Sequence, residues 1–175
     1  EALAKKIDSA VFPGSQGGPL DHVIAAKAIG FREALDPGFA KNSARIVQNA
    51  EALADALATQ GFRLVSGGTD NHLLLVDLRS FDADLTGKVA QEVLDLGGVT
   101  LNRNTIPDDP RSPFVTSGVR IGVSSVTTQG MGIDEMAMIA DFTARILRQR
   151  DDTDAVQAIA LEVAELCAKF PPYPD

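Results

Sequence analysis

One cysteine among 175 residues, Cys167, leaves no partner for an intrachain disulfide. Its place between Leu166 and Ala168 in a helical pattern predicts a small buried apolar residue. Histidine is nearly as scarce: His22 and His72 stand far apart with no companion cysteine, so a dedicated transition-metal site is not expected. Long apolar runs are missing too. The longest are only a few residues, as in Leu73 to Val76, where a membrane-spanning helix needs about 20, so a chain integral to a membrane is not expected. Basic charge is short, with 16 Lys and Arg against 24 Asp and Glu for a net charge of -8. Without a local basic stripe, a chain of that sign repels a polyanion, and no nucleic-acid partner is expected. No basic segment followed by an apolar one stands at the start, so no secretory address is expected and a cytoplasmic location is the default.

What is present is the composition of an ordinary soluble globular domain: 45% apolar residues, 23% charged, 15 Gly and 9 Pro. A chain of this length can bury roughly 70% of its unfolded surface, enough for one core. Collagen-like, mucin-like and coiled-coil readings are excluded, and neither an internal repeat nor a low-complexity tract is visible.

Along the chain, Ala2 to Val11 reads as a short helix entering a loop, Phe12 to Pro19, whose three glycines and two prolines oppose regular structure. Helical spacing resumes through Val23, Ile24, Ala28 and Phe31. Asp36 then caps a second helix that opens on Pro37, carries Phe39, Ile46, Val47, Ala50, Leu53, Ala54 and Leu57, and stops at Gly61. Beyond it, Phe62 to Ser66 and His72 to Leu78 read as strands around a Gly67-Gly68 turn, the latter apolar on both faces and central in a sheet. Thr86 caps a helix through Leu96 that Gly97-Gly98 ends, and Val99 to Leu101 gives another short strand, a β-α-β progression. After a proline-rich loop, Ile106 to Phe114, the segment Val115 to Val123 alternates, with Val115, Val119, Ile121 and Val123 on one face. Two amphipathic helices follow, the first marked by Ile133 to Leu147, the second by Val156 to Phe170. Helices packed on a sheet give an α/β or α+β class. The boundaries expected are 1–35 as the end of something larger, 36–60 as a connecting helix and 61–175 as a small α+β domain.

Four features could carry chemistry. Free amides in Gln16-Gly17-Gly18-Pro19, ahead of a helix, can hold a phosphate because no side chain blocks approach; a tight interdomain turn is the ordinary alternative. Arg120 shares a strand face with Gly118 and Gly122, which leave room for a carboxylate or phosphate along the strand; the alternative is a solvent-facing arginine between bends. Asn102, Asn104 and Ser112 can line the same cleft or simply build turns. Thr69-Asp70-Asn71-His72 is turn-forming, and no base beside a nucleophile can be assembled.

Three long motifs, in order, add a resemblance. Val11-Phe12-Pro13-Gly14-Ser15-Gln16-Gly17-Gly18-Pro19-Leu20 with His22-Val23-Ile24-Ala25 is the first, and Ser66-Gly67-Gly68-Thr69-Asp70-Asn71-His72 the second. The third is Ser112-Pro113-Phe114-Val115-Thr116-Ser117-Gly118-Val119-Arg120-Ile121-Gly122. Together they closely resemble the serine hydroxymethyltransferases over essentially the whole chain, but only the C-terminal part of such an enzyme, as in a fragment or a cleaved product.

The resemblance implies a pyridoxal-phosphate transferase of the aspartate-aminotransferase fold type, a homodimer or tetramer with active sites at the subunit interface. It implies serine and glycine interconversion with transfer of a one-carbon unit to tetrahydrofolate. Gly17 and Gly18 would offer amides to the cofactor phosphate of the neighbouring subunit, and Arg120 would bind the amino-acid carboxylate. Asn104, Ser112, Pro113 and Phe114 would border the folate site, while Arg111 receives no role. The Schiff-base lysine of the family follows a Thr-Thr-His type sequence, and none of Lys5, Lys6, Lys27, Lys41, Lys88 or Lys169 has that context. The chain alone is therefore expected to be inactive without the missing N-terminal part of the enzyme. The alternative is a non-catalytic piece acting only as a folded or oligomerisation domain.

Overall fold

Local sequence chemistry sets the helix boundaries of the computed structural model, which describes residues 3–173; Ala2, at the start of the first expected helix, lies outside them. The chain forms two units, the first ending at Ala40 and the second starting at Lys41.

In the first unit, helix α1 (Ala4–Ser9) leads into a wide, distorted helical segment, Ala10–Ser15, rather than directly into a loop. The turns are interrupted at Phe12 and Pro13, where the ring of Pro13 removes a helical donor. Irregular backbone then covers residues 16–20, and α2 (Asp21–Ala34) follows. All described residues up to Ala40 are exposed, among them Phe12, Ile24, Phe31 and Leu35. Helix α3 (Pro37–Thr59) opens as expected: the Asp36 carboxylate accepts from the Gly38 amide at 2.7 Å, and Pro37 stands where a missing N–H costs nothing. Its 23 residues run on into the second unit, where Asn49, Ala50, Leu53, Ala54 and Leu57 are buried.

The second unit is built on an antiparallel sheet of order β1-β2-β4-β3: β1 (Arg63–Leu64), β2 (Leu73–Asp77), β3 (Asn102–Asn104) and β4 (Gly118–Gly122). Both β2 and β3 run antiparallel to β4 and therefore parallel to each other. The expected β-α-β progression is thus present as a split unit: β2, helix α4 (Gly87–Leu96) and β3 are connected in sequence, with β4 inserted between the parallel strands. With no neighbouring parallel pair, the second unit is α+β, as expected of the small domain. Registers Leu74↔Ile121 and Val76↔Val119 put four buried apolar side chains on one face. These share a single core with α3, α4, α6 (Ile133–Arg148) and α7 (Thr153–Ala168). A short helix, α5 (Ser124–Thr128), joins β4 to α6, where the sequence carries no amphipathic spacing to signal it.

All four strands differ from expectation; the second only narrows by one residue at each end, to Leu73–Asp77. The first strand shrinks to Arg63–Leu64. The third is Asn102–Asn104 instead of Val99 to Leu101. Its ladder partner, not its hydrophobicity, defines it: Asn102 pairs with Arg120 and Asn104 with Gly118. The fourth begins at Gly118 because Thr116 has φ 58°, which breaks the extended run from Val115. Cys167 is exposed on α7, not buried, since Val163 and Leu166 take the inward positions.

The other face of the sheet is largely polar, with Leu73 and Leu75 half-buried among Asp77, Arg120, Asn102 and Asn104. Asp77, 2% exposed, accepts from Arg63 Nη1 at 2.6 Å and from Arg79 Nη2 at 2.9 Å, Nε at 3.0 Å and backbone N at 3.1 Å. The hydrogen bonds from Arg79 outweigh burial and, with Arg63, hold the carboxyl at about 2. A lowered folded pKa gives stability that is complete above the unfolded value of 3.8 and is lost as pH falls through about 2. Asp77→Asn is expected to cost about 2 kcal/mol in urea unfolding at pH 7, with the gap to wild type closing between pH 4 and 2. A gap independent of pH would show that the charge is not what Asp77 contributes.

Candidate functional site

Arg120 occupies the centre of β4 on the polar face, opposite Leu75 on one side and Asn102 on the other. Its Nε donates to Asn102 Oδ1 at 3.1 Å, and the Asn102 amide is itself fixed by donating to the Arg103 carbonyl at 2.9 Å. The two terminal nitrogens of Arg120 have no partner among the described residues. An arginine held by Nε alone presents its remaining fork outward, in the geometry that takes a carboxylate through two parallel hydrogen bonds. Arg120 is exposed, so the group it would grip comes from outside the unit.

The strand neighbours behave differently from expectation. Gly122 leaves room, since an added Cβ would lie no closer than 3.7 Å to the His72 carbonyl. Gly118 is not open: a Cβ there would stand 2.6 Å from Ile106 Cγ2, 2.7 Å from the Val76 oxygen and 3.0 Å from the Asn104 oxygen. The glycine is required for strand packing, not for ligand access.

Asn104 lies two residues from Asn102 on the same face of β3, and its side chain donates to the Thr105 carbonyl at 2.7 Å. The loop that follows exposes Ser112, Pro113 and Phe114, the phenyl ring being 79% exposed. The Ser112 carbonyl turns the chain back by accepting from the Val115 and Thr116 amides at 3.0 and 2.9 Å. Thus Arg120, Asn102 and Asn104 share one face of the sheet, and Ser112–Phe114 belongs to the loop between those strands.

Thr69 to His72 is turn chemistry, as its composition suggested: Thr69 Oγ1 donates to the Leu73 carbonyl at 2.6 Å and Asn71 Oδ1 accepts from the Leu73 amide at 3.1 Å. Two residues that composition did not single out are central to the loop. Asp109 and Arg111 anchor it, and the only signal in the sequence was an acid and an arginine two apart in a proline-rich run.

In the first unit, Ser15 to Leu20 line a concavity of about 520 Å³. A Cβ at Gly17 or Gly18 would meet no other residue's heavy atom within 4 Å, and among the described residues nothing accepts from either amide. Backbone N–H groups unmasked in this way suit an anion. Among the described residues no group of three His, Cys, Asp or Glu could hold a metal ion, and no helix is long and apolar enough to cross a membrane.

The family model of serine hydroxymethyltransferase matches residues 1–143. A serine hydroxymethyltransferase of Cyanothece sp. (strain PCC 7425 / ATCC 29141) is 54% identical over 172 residues, which cover 98% of this chain and 40% of that protein. The chain therefore spans about two fifths of the length of the curated relative it matches. A family model that fits most of the sequence and a relative sharing more than half of its residues lead to one conclusion: the chain belongs to the serine hydroxymethyltransferase family.

Proposed function

We propose that the chain is the C-terminal part of a glycine hydroxymethyltransferase that interconverts serine and glycine and passes the one-carbon unit to tetrahydrofolate. The observation that carries this reading is Arg120, whose Nε is tied to Asn102 and whose terminal nitrogens are left unpartnered on an exposed sheet face. That arrangement suits the substrate carboxylate, which it would orient relative to the reacting carbon. Asn104 and the Ser112–Phe114 tip would border the folate, offering an amide and an exposed aromatic face to a flat heterocycle.

The family depends on pyridoxal phosphate, which supplies an electron sink for the reacting amino acid when bound. The residues present fit its phosphate: Gly17 and Gly18 offer two unpartnered amides with no side chain in the way. In a homodimer or tetramer of the aspartate-aminotransferase fold type, they would serve the neighbouring subunit. Residues 1–35 would then close a larger cofactor domain, 36–60 would connect, and 61–175 would form the small domain, in a cytoplasmic enzyme. The exposed apolar side chains of Phe12, Ile24 and Phe31 support this division, because a complete domain buries such residues.

The full-length enzyme containing this chain should convert serine to glycine with strict dependence on tetrahydrofolate, while the 175-residue chain alone should not. Gly18→Val in the full-length enzyme should loosen the cofactor about tenfold or more in equilibrium dialysis, through the Cβ it adds beside the amides. Absence of turnover in the complete protein would leave the chain a folded or oligomerisation domain without catalysis. Unchanged cofactor retention would reduce the glycine loop to a turn.

A further inference from the structure

We propose that Asp109 and Arg111 form a clasp that fixes the Ser112–Phe114 tip for the folate, making them positioning residues for that co-substrate and not for the amino acid. The inference rests on the folate reading above and deepens it.

The Asp109 carboxylate gathers both ends of the loop. Its Oδ1 accepts from Ser117 Oγ at 2.6 Å and the Arg111 amide at 2.9 Å; its Oδ2 accepts from the Ser117 amide at 2.9 Å and the Ile106 amide at 3.2 Å. One carboxylate thereby ties Ile106, two residues past β3, to Arg111 just before the tip and Ser117 three residues beyond it. Burial alone would raise this carboxyl, but the donors, led by the Ser117 hydroxyl, outweigh it and hold the group at about 2, so the clasp keeps its charge across the working range.

Arg111 fastens the same loop to the framework. Its Nη1 donates to the Leu85 carbonyl and its Nη2 to the Ala83 carbonyl, both at 2.8 Å. On the far side of the tip, the Val115 and Thr116 carbonyls accept from the first amides of α4, Lys88 and Gly87, at 3.0 Å. Ser117 is fully buried, and its carbonyl accepts from the Leu78 amide at 3.0 Å.

Backbone strain accompanies these ties. Asp108 has φ 52° and Thr116 φ 58°, and for a β-branched threonine the left-handed region is a true outlier. Strained residues persist only where their surroundings over-determine them, and they gather at ligand clamps. Between them Ser112, Pro113 and Phe114 stay exposed although the backbone on both sides is pinned. Turn-building alone does not need a buried serine, a charged carboxylate and two arginine bonds to hold a solvent-facing phenylalanine. Presenting a rigid aromatic to a ligand does, because preorganisation removes the ordering cost at binding.

Arg120 is anchored separately, through Asn102, so the clasp and the carboxylate fork can be uncoupled. The test is steady-state kinetics and calorimetric binding on the full-length holoenzyme. Asp109→Asn places an amide N–H₂ against donors and should raise the KM and Kd for tetrahydrofolate about tenfold, with serine KM changed less than about twofold. Arg111→Lys, which keeps charge and can reach only one of the two carbonyls, should show the same split to a smaller degree. Should Asp109→Asn prove insoluble, Arg111→Lys and Arg111→Ala carry the comparison. Unchanged folate affinity, or an equal rise for serine and folate, would overturn the clasp. A wild-type protein without any tetrahydrofolate-dependent turnover would instead overturn the reading on which it rests.

Discussion

Arg120→Lys in the full-length enzyme should lower kcat/KM for serine by about 100-fold or more while leaving the visible absorbance of the bound cofactor unchanged. A lysine ammonium is a point charge that cannot reproduce the two parallel N–H bonds of the guanidinium fork. Nor can it keep the lateral tie, since the Nε donor that now bonds Asn102 Oδ1 at 3.1 Å is lost with the guanidinium. The variant should fold normally, because Arg120 is exposed and the core lies on the opposite face, with Val119 and Ile121. Circular dichroism and thermal unfolding like those of wild type, together with the kinetic loss, separate a lost clamp from a damaged sheet. Near-normal serine affinity would return Arg120 to the role of a solvent-facing residue.

Gly118→Ala should cost about 2–3 kcal/mol in urea unfolding, because the added methyl has nowhere to go. Two of its three neighbours are backbone oxygens, Val76 at 2.7 Å and Asn104 at 3.0 Å, so rotamer adjustment relieves only the contact with Ile106 Cγ2 at 2.6 Å. The strands flanking β4 must part where Asn104 pairs with Gly118, two residues from Arg120. Serine affinity should therefore fall along with stability. Gly122→Ala, whose Cβ would lie 3.7 Å from the His72 carbonyl oxygen, should do little to stability, and equal destabilisation by the two substitutions would refute strand packing as the role of Gly118.

Much of the architecture was legible in the sequence where local chemistry decides it. Asp36-Pro37, Thr86 and Gly97-Gly98 carry capping information within a few residues, and the ends of α3 and α4 follow them. Strand limits were less legible because partners set them. The apolar run Val99 to Leu101 looked more strand-like than Asn102–Asn104, yet the ladder to β4 forms at the asparagines. Thr116 could not be read as left-handed from its type, since β-branched residues avoid that region unless tertiary contacts impose it.

The site divides along the same line. The arginine between glycines was visible as a pattern, and its exposure on the polar face agrees with that pattern. What Gly118 does was misread, because an empty side chain in sequence says nothing about whether a neighbour has filled the space. Asn102 as the anchor of Arg120, and Asp109 as the centre of four donors, depend on cross-strand register and loop closure, which composition does not encode.

A two-by-two comparison tests most directly whether Arg120 recognises a carboxylate. Inhibition of the full-length enzyme by glycine and by glycinamide is measured for wild type and for Arg120→Ala, so that charge on the ligand and charge on the protein are removed singly and together. Wild type should prefer glycine over glycinamide by about 100-fold or more, and the variant should bind the two nearly alike. A preference for glycine that survives intact in Arg120→Ala would contradict the account and assign the carboxylate to another residue.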